Sequence, residues 1–287
     1  MRKIKEFIIE KLILVCGLAS VFFVVLIFIF LLKEGLALFK IVSPLDFLFG
    51  KSWYPISEPA QLGILPLILG SLLVTFGAAV ISVPIGVGCA IYIAEVAPNK
   101  IKELLKVGIE LLAAIPSVVI GFIGMVTLVP LVKNVFHLPT GLTALSGSIM
   151  LAFMAMPTIV SIAEDALYAV PKSYREGSFA LGATHWQTIW RVILPAASSG
   201  ILAAVMLGIG RVIGETMAVM MITGNAAVIP QSILQPVRTL TATIAAEMGE
   251  AVVGSEHYFA LFAIGVVLFV ISFIINVSAD LFLHRNK

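Results

Sequence analysis

Long runs of apolar residues without a single charge dominate this sequence. Residues 12–32 form one such run of 21 residues, and residues 62–94 form another of 33. A helix that crosses the roughly 30 Å hydrocarbon core of a bilayer needs about 20 apolar residues, so each run is long enough to span a membrane. Hydrophobic residues make up 60% of the chain and charged residues only 12%, which excludes a water-soluble domain of useful size. The sequence therefore predicts an all-α, polytopic membrane protein.

Six membrane spans are expected from these runs and from the polar segments between them. Pro66 and Pro84 are expected to break or kink the second run, which is longer than one crossing needs. Pro116 is expected to lie inside the third span. The expected spans are 12–32, one within 62–94, 107–132, 148–170, 196–222 and 258–283, with a short helix over 239–251 in the last loop. Residues 1–61 are grouped as the N-terminal tail, first span and extracytoplasmic segment, and residues 62–287 as the transmembrane domain.

The distribution of lysine and arginine orients these spans. The segments on the same side as the N-terminus hold 12 of these residues, and the segments on the other side hold 5. Cytoplasmic loops of membrane proteins carry the excess of positive charge. Both termini are therefore expected in the cytoplasm, together with the polar segment 171–195.

Segment 171–195 is a polar interruption between two apolar runs, and it carries two helix-start signatures. Ser173 lies three residues before Glu176, and Thr184 lies three residues before Gln187. Each pair fits a capping box, in which two side chains satisfy the free N–H groups of a helix start reciprocally. The segment is therefore expected to form a helix, a tight turn and a second helix.

The spacing within this segment resembles the signature loop of inner-membrane permeases of binding-protein-dependent ABC importers. That loop reads Glu-Ala-Ala, three residues, Gly, nine residues, Ile-x-Leu-Pro, and the register is kept here with small or β-branched replacements. Its glycine falls where a turn with positive φ is expected. The resemblance implies the type I ABC importer permease fold and a coupling loop that docks on a cytoplasmic ATPase. The matched positions are Glu176, Gly177, Ser178, Gly182, Val192, Leu194 and Pro195.

Two opposite charges, Arg211 and Glu215, lie within the fifth expected span. At a separation of four residues they share one face of a helix and can pair. Charged residues inside a bilayer usually face a bundle interior or a water path. One interpretation is a buried ion pair that only holds helices together, and the other is that Arg211 lines the path of an anion. Gly210 and Gly214 have the spacing that favours close contact with a second helix.

A second resemblance concerns the substrate. Residues 210–219 are similar to the Gly-Arg-x-x-Gly-Glu-Thr-Met-Ala-Val segment of phosphate permeases of the Pst type, C subunit, and residues 113–119 match another segment of that family. Ile120 stands where the family usually has tyrosine. The resemblance implies phosphate import together with a homologous A-type permease subunit, two ATPase subunits and an extracytoplasmic phosphate-binding protein. It places Arg211, Glu215 and Thr216 in the substrate pathway.

Two further positions remain open between functional and structural interpretations. Pro116 frees backbone hydrogen-bonding groups within a span and either presents Ser117 to the pathway or forms a plain kink. Glu164 and Asp165, near the end of the fourth span, are interpreted as a gate, as a contact with the coupling loop or, preferably, as a solvated helix end.

Other classes of function have less support in the sequence. Gly50-Lys51-Ser52 lacks the earlier glycine of a phosphate-binding loop, since that position is Leu45, so ATP hydrolysis is expected on a separate subunit. An intramembrane enzyme needs a nucleophile with a base or a set of metal ligands, and the sequence shows neither pattern. No catalytic residue, metal, cofactor or nucleic-acid partner is therefore expected. The remaining alternatives are a permease for molybdate or sulfate and a passive anion channel.

Overall fold

The structure is a computed structural model that describes residues 2–285, with the side-chain surroundings of Phe7 and of residues 9–278. Its described residues are mostly helical, with one two-stranded hairpin between the second and third helices. The elements are α1 (Arg2–Ala37), α2 (Pro44–Phe49), β1 (Trp53–Tyr54), β2 (Gln61–Leu62), α3 (Leu65–Ile91), α4 (Asn99–Ala114), α5 (Ser117–Val135), α6 (Ala144–Tyr168), α7 (Lys172–Ala180), α8 (His185–Thr188), α9 (Leu194–Ile213), α10 (Met217–Ile222), α11 (Leu240–Glu247) and α12 (Glu256–Arg285).

Six helical stretches within the described residues are long and apolar enough to cross a membrane, as the sequence predicts. Two of them include π-helical turns, at Tyr92–Val96 after α3 and at Ile189–Ile193 before α9. The six stretches are Ile9–Lys40, Leu65–Val96, Ser117–Val135, Ala144–Tyr168, His185–Ile213 and Glu256–Ser278.

The second span is one continuous helix, so the expected break at its prolines is wrong. Pro66 lies in the first turn of α3, where a missing N–H leaves no intrahelical bond unmade. Pro84 lies inside α3, and the helix continues past it and through the π-helical turn to Val96.

The third span is discontinuous, whereas the sequence predicted one span with Pro116 inside it. Helix α4 ends at Ala114, Ile115 is extended with ψ of 128°, and Pro116 is the N-cap of α5. The ring of a proline clashes with a helical conformation of the preceding residue and favours the extended one. Pro116 therefore separates two helices, and Ser117 becomes the first residue of α5.

The fifth span is also discontinuous, and the predicted range 196–222 is corrected accordingly. Helix α9 ends at Ile213, and α10 begins at Met217. Thr216, at the N-cap position of α10, has φ of −120° and ψ of −58°. Glycine and β-branched threonine are both weak helix formers, and Gly214 and Thr216 flank the break.

Helix α6 lies at the centre of the bundle and is buried along most of its length. Ile159 on this helix fits between Gly86 of α3 and Gly208 of α9. A Cβ atom on Gly86 would lie 2.9 Å from Cγ2 of Ile159, and a Cβ atom on Gly208 would lie 2.4 Å from its Cγ1. The absence of side chains at these glycines thus permits α3 and α9 to approach α6 closely.

Helices α1 and α12 pack together at the side of this core. The rings of Phe28 and Phe269 lie 4.5 Å apart between centroids, and the Cβ position of Gly265 lies 2.9 Å from Cδ1 of Leu31. Most of the other described α1 side chains are exposed and apolar, as expected of a helix surrounded by lipid.

Residues 223–255 fold back against the end of the bundle at which α3 begins. The short helix predicted over 239–251 is confirmed as α11, and Thr239 caps it by accepting the N–H of Ala242. The backbone N–H of Leu240 donates to Oγ of Ser71 on α3, with a separation of 2.9 Å. These bonds hold the N-terminal end of α11 within the bundle.

Candidate transport site and coupling segment

The coupling segment 171–195 forms a helix, a turn and a second helix, as predicted. Gly182 lies in the turn between α7 and α8 with φ of +82°, a conformation that a side chain makes unfavourable. The capping box at the start of α8 is confirmed, because Thr184 Oγ1 accepts the N–H of Gln187 and Gln187 Oε1 accepts the N–H of Thr184.

The capping box predicted at Ser173 and Glu176 is wrong. Helix α7 begins earlier, at Lys172, with Pro171 as its N-cap and no side-chain cap. Proline has a fixed φ close to the helical value and favours a helix start. Ser173 therefore lies inside α7 and Glu176 one turn further on.

The matched positions of the coupling segment divide into exposed and packed residues. Glu176, Gly177, Gly182 and Pro195 are exposed. Ser178 is buried, and its Oγ lies 2.9 Å from Oγ1 of Thr188, which joins α7 to α8. Leu194 and Pro195 form the first turn of α9.

Large apolar side chains on the same segment remain uncovered. Leu181, in the turn, is 90% exposed, and Trp186 and Trp190 are 59% and 62% exposed. A cluster of exposed aromatic and aliphatic side chains on a polar segment is typical of a surface that binds another protein. The segment thus carries an apolar tip that no other part of the described chain covers.

Arg175 attaches the coupling segment to the membrane helices, a contact that the sequence analysis missed. Its Nη2 lies 2.5 Å from Oε1 of Glu95 in the π-helical turn after α3. Its Nη1 and Nη2 also donate to the carbonyl oxygens of Val170 and Leu167, at 2.9 and 3.1 Å. The one feature of the sequence that could have indicated this contact is Glu95, the first charged residue after the 33-residue apolar run.

Arg211 lies in the last turn of α9, and it is exposed in this subunit. Its Nη1 donates to Oγ1 of Thr158 on α6, 3.3 Å away. The predicted pairing with Glu215 on one helix face is wrong, because α9 ends before Glu215. The Glu215 carboxylate instead accepts the N–H of Ala218 in the first turn of α10, at 3.2 Å.

The glycines on either side of Arg211 do not make the predicted helix contact within the described chain. Nothing lies within 4 Å of a Cβ position on Gly210, and Gly214 meets only the backbone of its own chain segment. The surface formed by the two glycines is therefore not covered by the described part of this subunit.

The other two predicted pathway residues also lie at helix starts beside breaks in the spans. Thr216 precedes α10, and its Oγ1 lies 3.2 Å from the carbonyl oxygen of Gly214. Ser117 begins α5, which packs against α10: a Cβ atom on Gly121 would lie 2.9 Å from Cα of Ala218. The breaks of the third and fifth spans thus adjoin the same α5–α10 contact.

A polar network at the opposite end of α3 surrounds Glu247, and the sequence analysis did not identify it. Glu247 accepts hydrogen bonds from Trp53 Nε1, with 3.1 Å to Oε2, and from Nη1 of Arg238. Nε2 of His257 lies 2.9 Å from Oε2 of Glu247, and Nε of Arg238 donates to the carbonyl oxygen of Asn225. The network borders a cavity of about 570 Å³. Trp53 and Glu247 are 194 residues apart, so no local pattern could reveal their contact.

Glu164 is buried, so the preferred interpretation of a solvated helix end is wrong for this residue. Its side chain is 4% exposed, and its Oε1 lies 3.0 Å from Nζ of Lys106 on α4. Asp165 is exposed. The contact between Glu164 and Lys106 holds α4 against α6. A second contact does the same, because Nζ of Lys102 on α4 lies 3.9 Å from the ring centroid of Tyr168 on α6.

Among the described residues no group of three or more potential ligands could hold a metal ion.

Comparison with known proteins agrees with this architecture. The family model described as "Binding-protein-dependent transport system inner membrane component" matches residues 82–287. The alginate ABC transporter of a bacterium, solved with a pentasaccharide-bound periplasmic protein, shares the fold at a TM-score of 0.66 and 14% identity, covering 93% of this chain and 91% of that one. The inward-facing MetNI methionine ABC transporter gives a TM-score of 0.63 and 18% identity, covering 81% of this chain and all of that chain.

Relatives in sequence include permeases from several bacteria. The chain is 43% identical over 274 residues to the probable ABC transporter permease protein YqgH of Bacillus subtilis, covering 95% of this chain and 89% of that protein. It is 37% identical over 259 residues to the phosphate transport system permease protein PstC of Mesorhizobium japonicum, covering 84% and 78%. A PstC of Haemophilus influenzae is 36% identical over 261 residues, covering 84% and 82%. This chain therefore belongs to the family of binding-protein-dependent transport system inner membrane components and has the fold of a type I ABC importer permease.

Proposed function

We propose that this chain is a transmembrane permease subunit of an ATP-driven importer that moves inorganic phosphate into the cell. The observation that carries the proposal is Arg211, an exposed arginine directly before the break in the fifth span. The identity to PstC proteins over more than three quarters of the chain supports phosphate as the substrate.

The position of Arg211 suits an anion that has left water. Arg211 lies 16 residues beyond Pro195, or about 24 Å along a helix at 1.5 Å per residue. A positive charge at this depth offsets part of the dehydration of a phosphate ion. The guanidinium group can also bind two phosphate oxygens at once, which an ammonium group cannot do in the same planar geometry.

Glu215, Thr216 and Ser117 complete the proposed pathway. The start of a helix exposes N–H groups and a partial positive charge that favour anions, and discontinuous helices supply such ends inside transporters. Ser117 lies at the start of the 19-residue helix α5. Glu215 balances the charge of the region when no anion is bound and keeps the site from retaining the ion too strongly.

The coupling segment is proposed to dock on an ATPase through Glu176, Gly177, Ser178, Gly182, Leu194 and Pro195. The exposed tip formed by Leu181 and Trp186 supports this role. ATP hydrolysis is then performed by two separate ATPase subunits. We further propose two partners, an A-type permease subunit and an extracytoplasmic phosphate-binding protein. The chain is proposed to lie in the cytoplasmic membrane with both termini inside the cell. Its transmembrane domain is proposed to span residues 62–287, after the first-span region 1–61.

Reconstitution of the purified complex in lipid vesicles tests the proposal. Subunits that co-purify with this chain are identified, and uptake of radiolabelled phosphate is measured with and without ATP. We expect ATP-dependent uptake and stimulation of ATP hydrolysis by phosphate-loaded binding protein. Stimulation by molybdate or sulfate in place of phosphate would contradict the assigned substrate, and uptake without ATP would indicate a passive channel.

A further inference from the structure

Arg175 is the point at which helix α7 is bonded to the membrane helices α3 and α6. It contacts Glu95 with two nitrogens, since Nε lies 3.4 Å from Oε2 while Nη2 lies 2.5 Å from Oε1. The Glu95 side chain is only 6% exposed and that of Arg175 is 21% exposed. Two-point contacts between arginine and carboxylate fix the relative orientation of the two groups as well as their distance.

The same guanidinium group satisfies backbone oxygens where α6 ends. The carbonyl groups of Leu167 and Val170 lie in the last turn of α6 and just beyond it. Carbonyls at a helix C-terminus have no partner within the helix and favour a positive charge. One side chain of α7 therefore holds the ends of two spans at once, and these two spans pack closely through Ile159 and Gly86.

A second side-chain hydrogen bond of α7 joins it to α8 instead of to the α3 span. Ser178 Oγ bonds Thr188 Oγ1 of α8, and α8 continues through a π-helical turn into α9, the helix of Arg211. The coupling segment is thus covalently continuous with α9 and, through residues 169–171, with α6. Its polar contact with the end of the α3 span is made by the side chain of Arg175, beside an apolar cluster that includes Ile93 and Ile193.

We propose that Arg175, through Glu95, is the positioning residue that transmits displacement of the coupling segment to the α3–α6 pair. This inference rests on the proposed function, in which an ATPase moves that segment. When α7 moves, a rigid Arg175–Glu95 contact carries α3 with it, so that α3, α6 and α9 change position together. Without the contact, only apolar packing joins the end of the α3 span to the coupling segment, and α3 follows the movement of α7 less closely.

The test compares Arg175→Gln, Glu95→Gln and the double variant in the reconstituted complex. Co-purification of the ATPase, ATP hydrolysis and phosphate uptake are measured on the same preparations. We expect each single variant to retain the ATPase and to hydrolyse ATP, while phosphate taken up per ATP falls by about tenfold, a factor that corresponds to about 1.4 kcal/mol at 25 °C. The double variant is expected to be no worse than either single one, because both remove the same contact. Lys100→Gln, which removes an exposed positive charge from the same end of the bundle, serves as the matched control with unchanged uptake.

Three results would overturn the inference while the wild-type complex still shows phosphate-dependent coupling. Normal uptake per ATP in Arg175→Gln would exclude a transmitting role, and additive losses in the double variant would show that Arg175 does not act through Glu95. Loss of the ATPase from the Arg175→Gln complex would also overturn it, since Arg175 would then belong to the docking surface itself. A wild-type complex without coupling would instead refute the proposed function.

Discussion

The carboxylate of Glu215 accepts a hydrogen bond from the backbone N–H of Ala218, with 3.2 Å between Oε1 and the nitrogen. This bond satisfies one of the free N–H groups at the start of α10. It also leaves Arg211, at the end of the preceding helix, without Glu215 as a partner on a shared helix face. The guanidinium group donates instead to a neutral neighbour, the hydroxyl of Thr158, an arrangement that the proposed anion pathway requires.

Replacement of Arg211 by glutamine is expected to abolish phosphate uptake and to leave assembly with the partner subunits intact. Uptake should fall by about one to two orders of magnitude, because hydrogen bonds to a charged group contribute about 1.5 to 3 kcal/mol. Uptake into vesicles and co-purification are the two measurements. Thr158→Val, which removes only the neutral neighbour of Arg211, should reduce uptake much less. Dissociation of the Arg211→Gln complex would show that the arginine holds helices together instead.

Two replacements of Glu215 separate its charge from its hydrogen bond. Glutamine keeps an oxygen that can accept the N–H of Ala218, whereas alanine removes both the oxygen and the charge. We expect Glu215→Gln to impair uptake less than Arg211→Gln does, and Glu215→Ala to lower thermal stability in addition. The stability loss should be about 1 kcal/mol, a usual value for a lost helix cap. Equal thermal unfolding of the two Glu215 variants would contradict the capping role.

Replacement of Gly182 by proline is expected to uncouple the complex. Proline fixes φ near −65°, whereas Gly182 has φ of +82°, so the turn between α7 and α8 cannot form. Gly182→Ala should have a weaker effect, because alanine reaches this region at a cost of about 1 kcal/mol. Membrane content of the subunit and phosphate uptake are measured together. Normal uptake by a membrane-inserted Gly182→Pro variant would exclude a coupling role of the turn.

Two glycines of α9 provide a matched pair for packing. Gly208→Ala places a methyl group 2.4 Å from Ile159, whereas nothing lies within 4 Å of the corresponding position on Gly210. Overpacking of a tight core typically costs about 1 to 3 kcal/mol. The Gly208→Ala subunit should therefore unfold at a lower temperature in detergent, and the Gly210→Ala subunit should match the wild type. A reversed order of the two melting temperatures would refute the observed packing of α9 on α6.

Replacement of Glu247 by alanine is expected to destabilise the end of the bundle that holds the network around Trp53. The change leaves the guanidinium of Arg238 and the indole N–H of Trp53 without the carboxylate, at a cost of about 2 kcal/mol. Glu250→Ala removes an exposed carboxylate from the same cavity and should be neutral. Thermal unfolding followed by tryptophan fluorescence distinguishes the two variants. Identical unfolding would show that the network contributes nothing to stability.

Features that depend on short stretches of chain could be predicted from the sequence. The six spans follow from predominantly apolar stretches of about 20 residues, because a bilayer requires that length whatever the tertiary structure. The turn at Gly182 and the capping box at Thr184 follow from local backbone chemistry in the same way. The family resemblance also rests on spacings within short segments, of which 171–195 is the longest.

Tertiary structure decided the features that combine distant residues. Pro84 lies within a continuous helix and Pro116 separates two helices, although both are prolines in apolar runs, so the local pattern does not determine which proline ends a helix. Glu164 is buried, and its partner Lys106 lies on another helix. Arg175 and Glu95 are 80 residues apart, and their contact exists only where α7 meets the ends of α3 and α6. The sequence thus determined which segments cross the membrane, while the packing of those segments decided which charges meet, since electrostatic partners are selected by distance in space.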